Sequence, residues 1–188
     1  AESALTERKS AEMVEERRDL SWDDVPVVDP LGLELGYKLI SLVDRKSGGE
    51  LLDRIKGIRK SLSTRLGFLL PTVHIRDNLK LSPNNYRITL LGVAINDGTV
   101  YPDRLMALNP GRVFGNPKGV DGVDPAYGLP SIWIEKSERE NAVALGWTVV
   151  DPATVMATHI SKVMDENAQE MLGFEETQNL VDKLAKLA

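Results

Sequence analysis

Residues 48–92 constrain this chain more than any other stretch, because they run through a helix, a breaker and two strands without a gap in the pattern. Gly48 and Gly49 break whatever precedes them. Leu51, Leu52, Ile55, Ile58, Leu62 and Leu66 then fall on one face at helical spacing, and Gly67 supplies the stop. Pro71 precedes a short strand over 72–75. Ser82, Pro83, Asn84 and Asn85 are turn residues. The clearest strand is 86–95, where Tyr86, Ile88 and Leu90 alternate with Arg87, Thr89 and Leu91. Asn96-Asp97-Gly98 reads as a hairpin turn, with a return strand over 99–101.

The flanking segments extend this order. Leu31, Leu33 and Leu35 alternate as a strand before Gly36, and 37–43 reads as further extended chain. Residues 102–130 hold five of the ten prolines and five of the 15 glycines, so they form a turn-rich segment with short strands at 105–108 and, just beyond, 131–135. Ser137 and Glu140 match a capping box, Gly146 is placed to end that helix, and 147–150 is a strand. Asp151 and Pro152 start another helix as N-cap and first helical residue, with Gly173 as its end and a last helix over 175–187. The fold class is α/β (α+β): an α/β domain interrupted by a small, turn-rich second domain. The predicted division is a linker over 1–29, a split first domain over 30–102 and 152–171, and an insert over 103–151.

Composition narrows the function classes. No apolar run is long enough to cross a bilayer, so a membrane-bound parent would make this its soluble part. The absence of cysteine excludes disulfides, thiolate nucleophiles and thiolate metal sites, and fits a reducing compartment. The net charge of −5 sits in residues 1–30, which carry nine acids and four bases; the rest has 19 of each. A neutral body argues against nucleic acid as a partner. A local exception runs over 45–65, where seven bases stand against Glu50 and Asp53. It reads either as a solvated helix face or as a contact for an acidic segment, such as the leader of a neighbouring copy.

Catalytic equipment is not visible. His74 and His159 are 85 positions apart in sequence, His74 within an apolar strand and His159 within a helix, and each reads as structural or surface. There is no H-E-x-x-H, no G-x-S-x-G elbow and no phosphate-cradling glycine loop. Asp121 and Asp124 only faintly suggest a calcium loop, since oxygen ligands at alternate positions are lacking. Neither an enzyme nor a cofactor or metal is expected.

Two places look like surface. In Asp124-Pro125-Ala126-Tyr127-Gly128, Pro125 fixes one φ angle and Gly128 permits a sharp exit. Such a loop presents a carboxylate and an aromatic as a recognition pair, or uses Tyr127 to anchor itself to its own core. In the helix after Asp151, Met156, Ile160, Val163, Met164 and Met171 share one side, while Thr158 projects from the other with Ser161, Lys162 and Asp165. Trp22, in an acidic stretch of the leader, needs somewhere to bury its ring, on its own domain or on a neighbouring subunit.

Two strings carry a family resemblance: GGELLDRIKGIRKSLSTRLGFLLPTVHIRDNLKLSPNNYRITLLG over 48–92 and VDPAYGLPSIWIE over 123–135. Both closely resemble the cytoplasmic domain of the FlhA family of flagellar type III export gate proteins, and the resemblance covers about 22–187. It implies a split first domain, an inserted second domain, and a helical third domain that would begin over 172–188. It identifies the chain as a fragment lacking the rest of that domain, a fourth domain and the transmembrane helices. It also implies a docking platform for export chaperone–substrate complexes at the cytoplasmic face of the bacterial inner membrane. Export ATPase components and other gate proteins are further partners, and self-association into a ring of nine is implied. The positions matching the family's chaperone-binding acid, aromatic and threonine are Asp124, Tyr127 and Thr158, with tyrosine where phenylalanine is commoner. Trp22 and Asp24 match linker residues that dock on an adjacent subunit, and Gly36 matches a small residue suited to a hinge. The alternative is a purely structural ring-building module of a type III gate, flagellar or virulence type.

Overall fold

In a computed structural model, the described residues are 29–44, 46 and 49–187. They form two four-stranded sheets and four α-helices, a mixed α/β fold as expected. The first sheet has the order β2-β1-β3-β4, from β1 (Leu31–Leu35), β2 (Val73–Asp77), β3 (Asn85–Leu90) and β4 (Val93–Thr99). β1 and β2 are parallel, and α1 (Glu50–Leu66) makes the crossover that parallel pairing requires. Gly67 ends α1 at φ 81°, where its amide donates to the Ser63 carbonyl. Leu31, Leu33 and Leu35 of β1 and Tyr86, Ile88 and Leu90 of β3 point to one face, against Leu51, Ile55 and Leu62 of α1. α3 (Pro152–Glu166) returns to the same core through Met156, Ile160 and Val163, although some 85 residues separate it from α1 in sequence.

The second sheet has the order β6-β7-β5-β8 and is antiparallel throughout. It uses β5 (Arg104–Leu108), β6 (Val120–Val123), β7 (Pro130–Glu135) and β8 (Thr148–Val150). Strand alternation divides its side chains. Ile132 and Ile134 pack with Leu105, Trp147 and Ala142 of the short α2 (Arg139–Ala144), while Met106 and Trp133 face the main core. α4 (Ala168–Leu187) closes the described chain.

Several expectations are corrected. Residues Tyr37–Leu42 form a 3-10 helix rather than extended chain; Leu39 is its one buried side chain. The long strand over 86–95 is two strands, because the hairpin turns at Leu91 and Gly92, with φ of 51° and 81°. Two successive positive φ values match the right-handed twist of a hairpin. Asn96-Asp97-Gly98 therefore lies inside β4. Its glycine has a packing role: a Cβ there would sit 2.5 Å from the Tyr86 hydroxyl and 2.6–2.8 Å from ring carbons of the paired residue. The capping box at Ser137 and Glu140 does not form, since Lys136–Glu138 is a 3-10 turn and Glu138 is the N-cap of α2, with no side-chain cap. The helix from Pro152 ends at Asn167, whose side chain donates to the Val163 carbonyl at 2.8 Å. Gly173 lies within α4. The strand β6 was not anticipated.

Candidate docking site

The turn after β6 is built by Asp124. Its N–H donates to the Leu129 carbonyl and its carbonyl accepts the Gly128 N–H, both at 2.8 Å. Its Oδ2 accepts the Tyr127 N–H at 3.1 Å. Gly128 leaves the turn at φ 71°, a conformation that a side chain disfavours. The carboxylate is thus used inward: Asp124 is only 5% exposed, whereas Tyr127 is 63% exposed. Short acidic side chains hold turns in this way, by accepting a backbone N–H a few residues on.

α3 supplies the facing wall. The Thr158 hydroxyl donates to the Thr154 carbonyl at 2.8 Å, so it offers outward only its methyl group and oxygen lone pairs. One helical turn later, the Lys162 ammonium donates to the Ala126 carbonyl at 2.8 Å and pairs with Glu166 at 3.5 Å. It also lies 5.1 Å from the centroid of the Tyr127 ring, within the range of a cation–π contact. Lys162 therefore ties the turn to α3. Tyr127, Thr158 and Lys162, with Ile58 and Arg65 of α1, line an open groove of about 340 Å³.

Of the three expected contact residues, Tyr127 and Thr158 share this groove. Asp124 does not line it and stands behind the turn. Gly36 lies elsewhere, at the end of β1, where its N–H donates to the Asn85 carbonyl at 2.8 Å. Trp22 and Asp24 lie outside the described residues. Lys162 was not singled out by sequence reasoning as a site residue; its signal is the i,i+4 spacing from Thr158 on one helix face.

Beneath the groove is a buried polar pair. His159 is 1% exposed, and its Nδ1 lies 2.6 Å from the hydroxyl of fully buried Tyr86. Its Nε2 lies 3.2 Å from Asn96 Oδ1, which can only accept. Nε2 accordingly carries the proton, and Nδ1 accepts from Tyr86. Burial holds the imidazole below its ordinary pKa, against the opposing charge of Asp124. Burial pushes the Tyr86 hydroxyl up, and Asp124 and Asp97 push it further. Both rings are neutral near pH 7, and neither is open to solvent. Among the described residues, no group of three His, Asp or Glu side chains is arranged to hold a metal ion. Nor is any described helix long and apolar enough to cross a membrane.

The model of the FHIPEP family matches residues 1–188. The chain belongs to that family. Among the relatives of this FHIPEP-family chain is the flagellar biosynthesis protein FlhA of Proteus mirabilis, 45% identical over 185 residues. That match covers 97% of the chain and 27% of the relative, so the chain spans about a quarter of the relative's length. The resemblance to FlhA proteins is thus carried by nearly the whole chain. Among solved structures, the Chlamydia pneumoniae CdsV and CdsO protein complex has a similar fold, with TM-score 0.67, 24% identity, and coverage of 87% of this chain and 52% of the other. The nonameric SctV-C of EPEC has TM-score 0.51 and 18% identity, covering 89% of this chain and 48% of the other. At these identities the likeness is one of fold.

Proposed function

We propose that this FHIPEP-family chain is a docking platform of a flagellar type III export gate, and that export chaperone–substrate complexes bind at the groove of Tyr127 and Thr158. One observation carries the proposal. Tyr127 is a large, exposed ring held in a fixed pose by Asp124 from behind and Lys162 from the side, and its exposure does nothing for the chain's own core. A preorganised aromatic of this kind is a common anchor in protein recognition. In this reading Asp124 acts through the turn and Thr158 contributes its methyl group.

The wider assembly is proposed with it. The chain sits at the cytoplasmic face of the inner membrane in a ring of subunits, nine in keeping with the EPEC SctV-C assembly. The leader docks on a neighbour through Trp22 and Asp24, and Gly36, between β1 and Tyr37, is the hinge. Residues 30–102 with 152–171 make one domain, 103–151 a second, and 172–188 begin a third. Export ATPase components and other gate proteins contact the ring; CdsV forms a complex with CdsO, which makes such a contact reasonable here. A ring-building role without docking is favoured by one feature, the exposed Leu180, Leu184 and Leu187 along α4.

Calorimetric titration with a flagellar chaperone–cargo complex tests the proposal. Burying one ring is worth roughly 1.5–3 kcal/mol, so Tyr127→Ala is expected to weaken binding about tenfold or more with the fold intact. Equal affinity of the two proteins would place the site elsewhere, and self-association without chaperone binding would favour the ring module.

A further inference from the structure

On the other side of the same turn, two sheet edges that are open among the described residues line one cleft of about 470 Å³. β4 is the edge of the first sheet and β6 the edge of the second. Hydrogen bonding fixes which of their backbone groups are free. The Asn85 carbonyl accepts from Gly36 and its N–H donates to Ser82, so Asn85 turns both groups away from its partner Thr99. Thr99 therefore makes a non-hydrogen-bonded pair, and its own N–H and C=O point out along the edge; two residues back, so do those of Asp97. On β6, the Asp124 N–H reaches inward to Leu129, which leaves Val123 and Asp121 pointing outward. Pro130, which has no N–H to give, occupies the position opposite Val123, as this alternation requires. All four outward-pointing residues line the cleft.

Two features say what the cleft suits. Its lining includes Asp97, Asp121 and Asp124 and no basic side chain. Its aromatic wall is Tyr101 and Trp133, edge to face with centroids 5.4 Å apart. The Ser131 hydroxyl, on a residue 3% exposed, has no hydrogen-bond partner among the described residues. It shares the face of β7 with Trp133, opposite Gly122, where a Cβ would lie 3.4 Å from its oxygen. That hydroxyl lies behind Gly122 and Trp133, which line the cleft, and Ser131 does not itself line it.

We infer that this cleft receives an extended, lysine- or arginine-bearing segment of a partner polypeptide, which adds as a strand to an open edge while its cation meets the aspartates. Strand addition uses free backbone groups for affinity and side-chain pockets for specificity. An acidic segment, such as residues 1–30 with their net charge of −5, would not complement this lining. The inference stands apart from docking at Tyr127, which faces the other groove.

The test is an amide NMR titration of the whole chain with a capped pentapeptide of alternating valine and lysine, beside its valine–glutamate counterpart. The lysine peptide is expected to shift the amides of Asp97, Thr99, Asp121 and Val123 saturably, and the glutamate peptide is not. Asp97→Asn with Asp121→Asn is expected to weaken binding by about tenfold. Thr99→Pro, which removes an outward N–H together with the Thr99 Oγ1 bond to Asn85 Oδ1, should do the same, while Thr99→Val, which loses only that side-chain bond, and Tyr127→Ala should change nothing. No saturable shift at these amides, or equal binding of both peptides, would overturn the inference and leave the aspartates as guards against edge pairing.

Discussion

Gly36→Ala is expected to destabilise the fold by about 3 kcal/mol or more. The reason is not backbone conformation, since Gly36 has φ of −64° and ψ of 156°, which any residue adopts. It is space. A Cβ on Gly36 would meet the carbonyl oxygens of Ser82, Pro83 and Asn85, the last two at 2.7 and 2.9 Å. These are backbone atoms of a turn that itself holds β3 in register: the Asn85 N–H donates to Ser82, and the Lys38 N–H donates to Pro83. A methyl group can be housed only by moving the turn away from β1, which breaks the Gly36 to Asn85 bond. Urea unfolding of the two proteins measures the loss as a fall in midpoint at constant slope. An alanine variant as stable as the parent would mean that the turn yields easily, and would favour a loose joint at this position over a close-packed one.

The second large effect is expected in mild acid. The imidazole of His159 resists protonation in the fold because it is buried and its Nδ1 accepts from Tyr86. Asp124, Asp97 and Glu166 pull its pKa up, and Lys162 pushes it down with the burial. In the unfolded chain the ring takes up its proton near its ordinary value of about 6.5. Below that value the unfolded state binds more protons than the fold, so stability present above it is lost as pH falls, until the folded ring also titrates. Urea midpoints are expected to decline between about pH 7 and 5, before most carboxylates titrate. His159→Gln removes the titrating ring and should flatten that decline; parallel curves for the two proteins would assign it to another group. Tyr86→Phe is expected to lose about 1–3 kcal/mol at pH 8, because it leaves Nδ1 buried without a donor.

Where one-dimensional pattern and local chemistry agree, the fold was legible. β1 follows from Leu31, Leu33 and Leu35, and α1 from its apolar stripe with Gly67 at the end. It was misread where a residue type serves a distant neighbour. Gly98 looks like a hairpin glycine but makes room for Tyr86, while the real turn places a leucine, Leu91, in a conformation that sequence patterns reserve for glycine or asparagine. Asn167 ends its helix with a side-chain bond that composition does not advertise, so the nearby Gly173 drew the boundary instead. The candidate site was legible only in part. Tyr127 and Thr158 are 31 positions apart, and resemblance rather than spacing suggested them together; the shared groove is a property of the packed turn and helix. The inward role of Asp124 has no sequence signature, because an exposed acid and a turn-holding acid read alike.

Partners are expected to dock on the groove of Tyr127, with Asp124 acting from behind it. Cross-saturation NMR tests this directly, by irradiating a protonated flagellar chaperone–cargo complex and reading the loss of signal in the deuterated chain. The strongest losses are expected at Tyr127, Thr158 and Lys162, with Asp124 weaker than its exposed neighbours. Losses concentrated away from this groove, on α4 or the outer face of the first sheet, would contradict it.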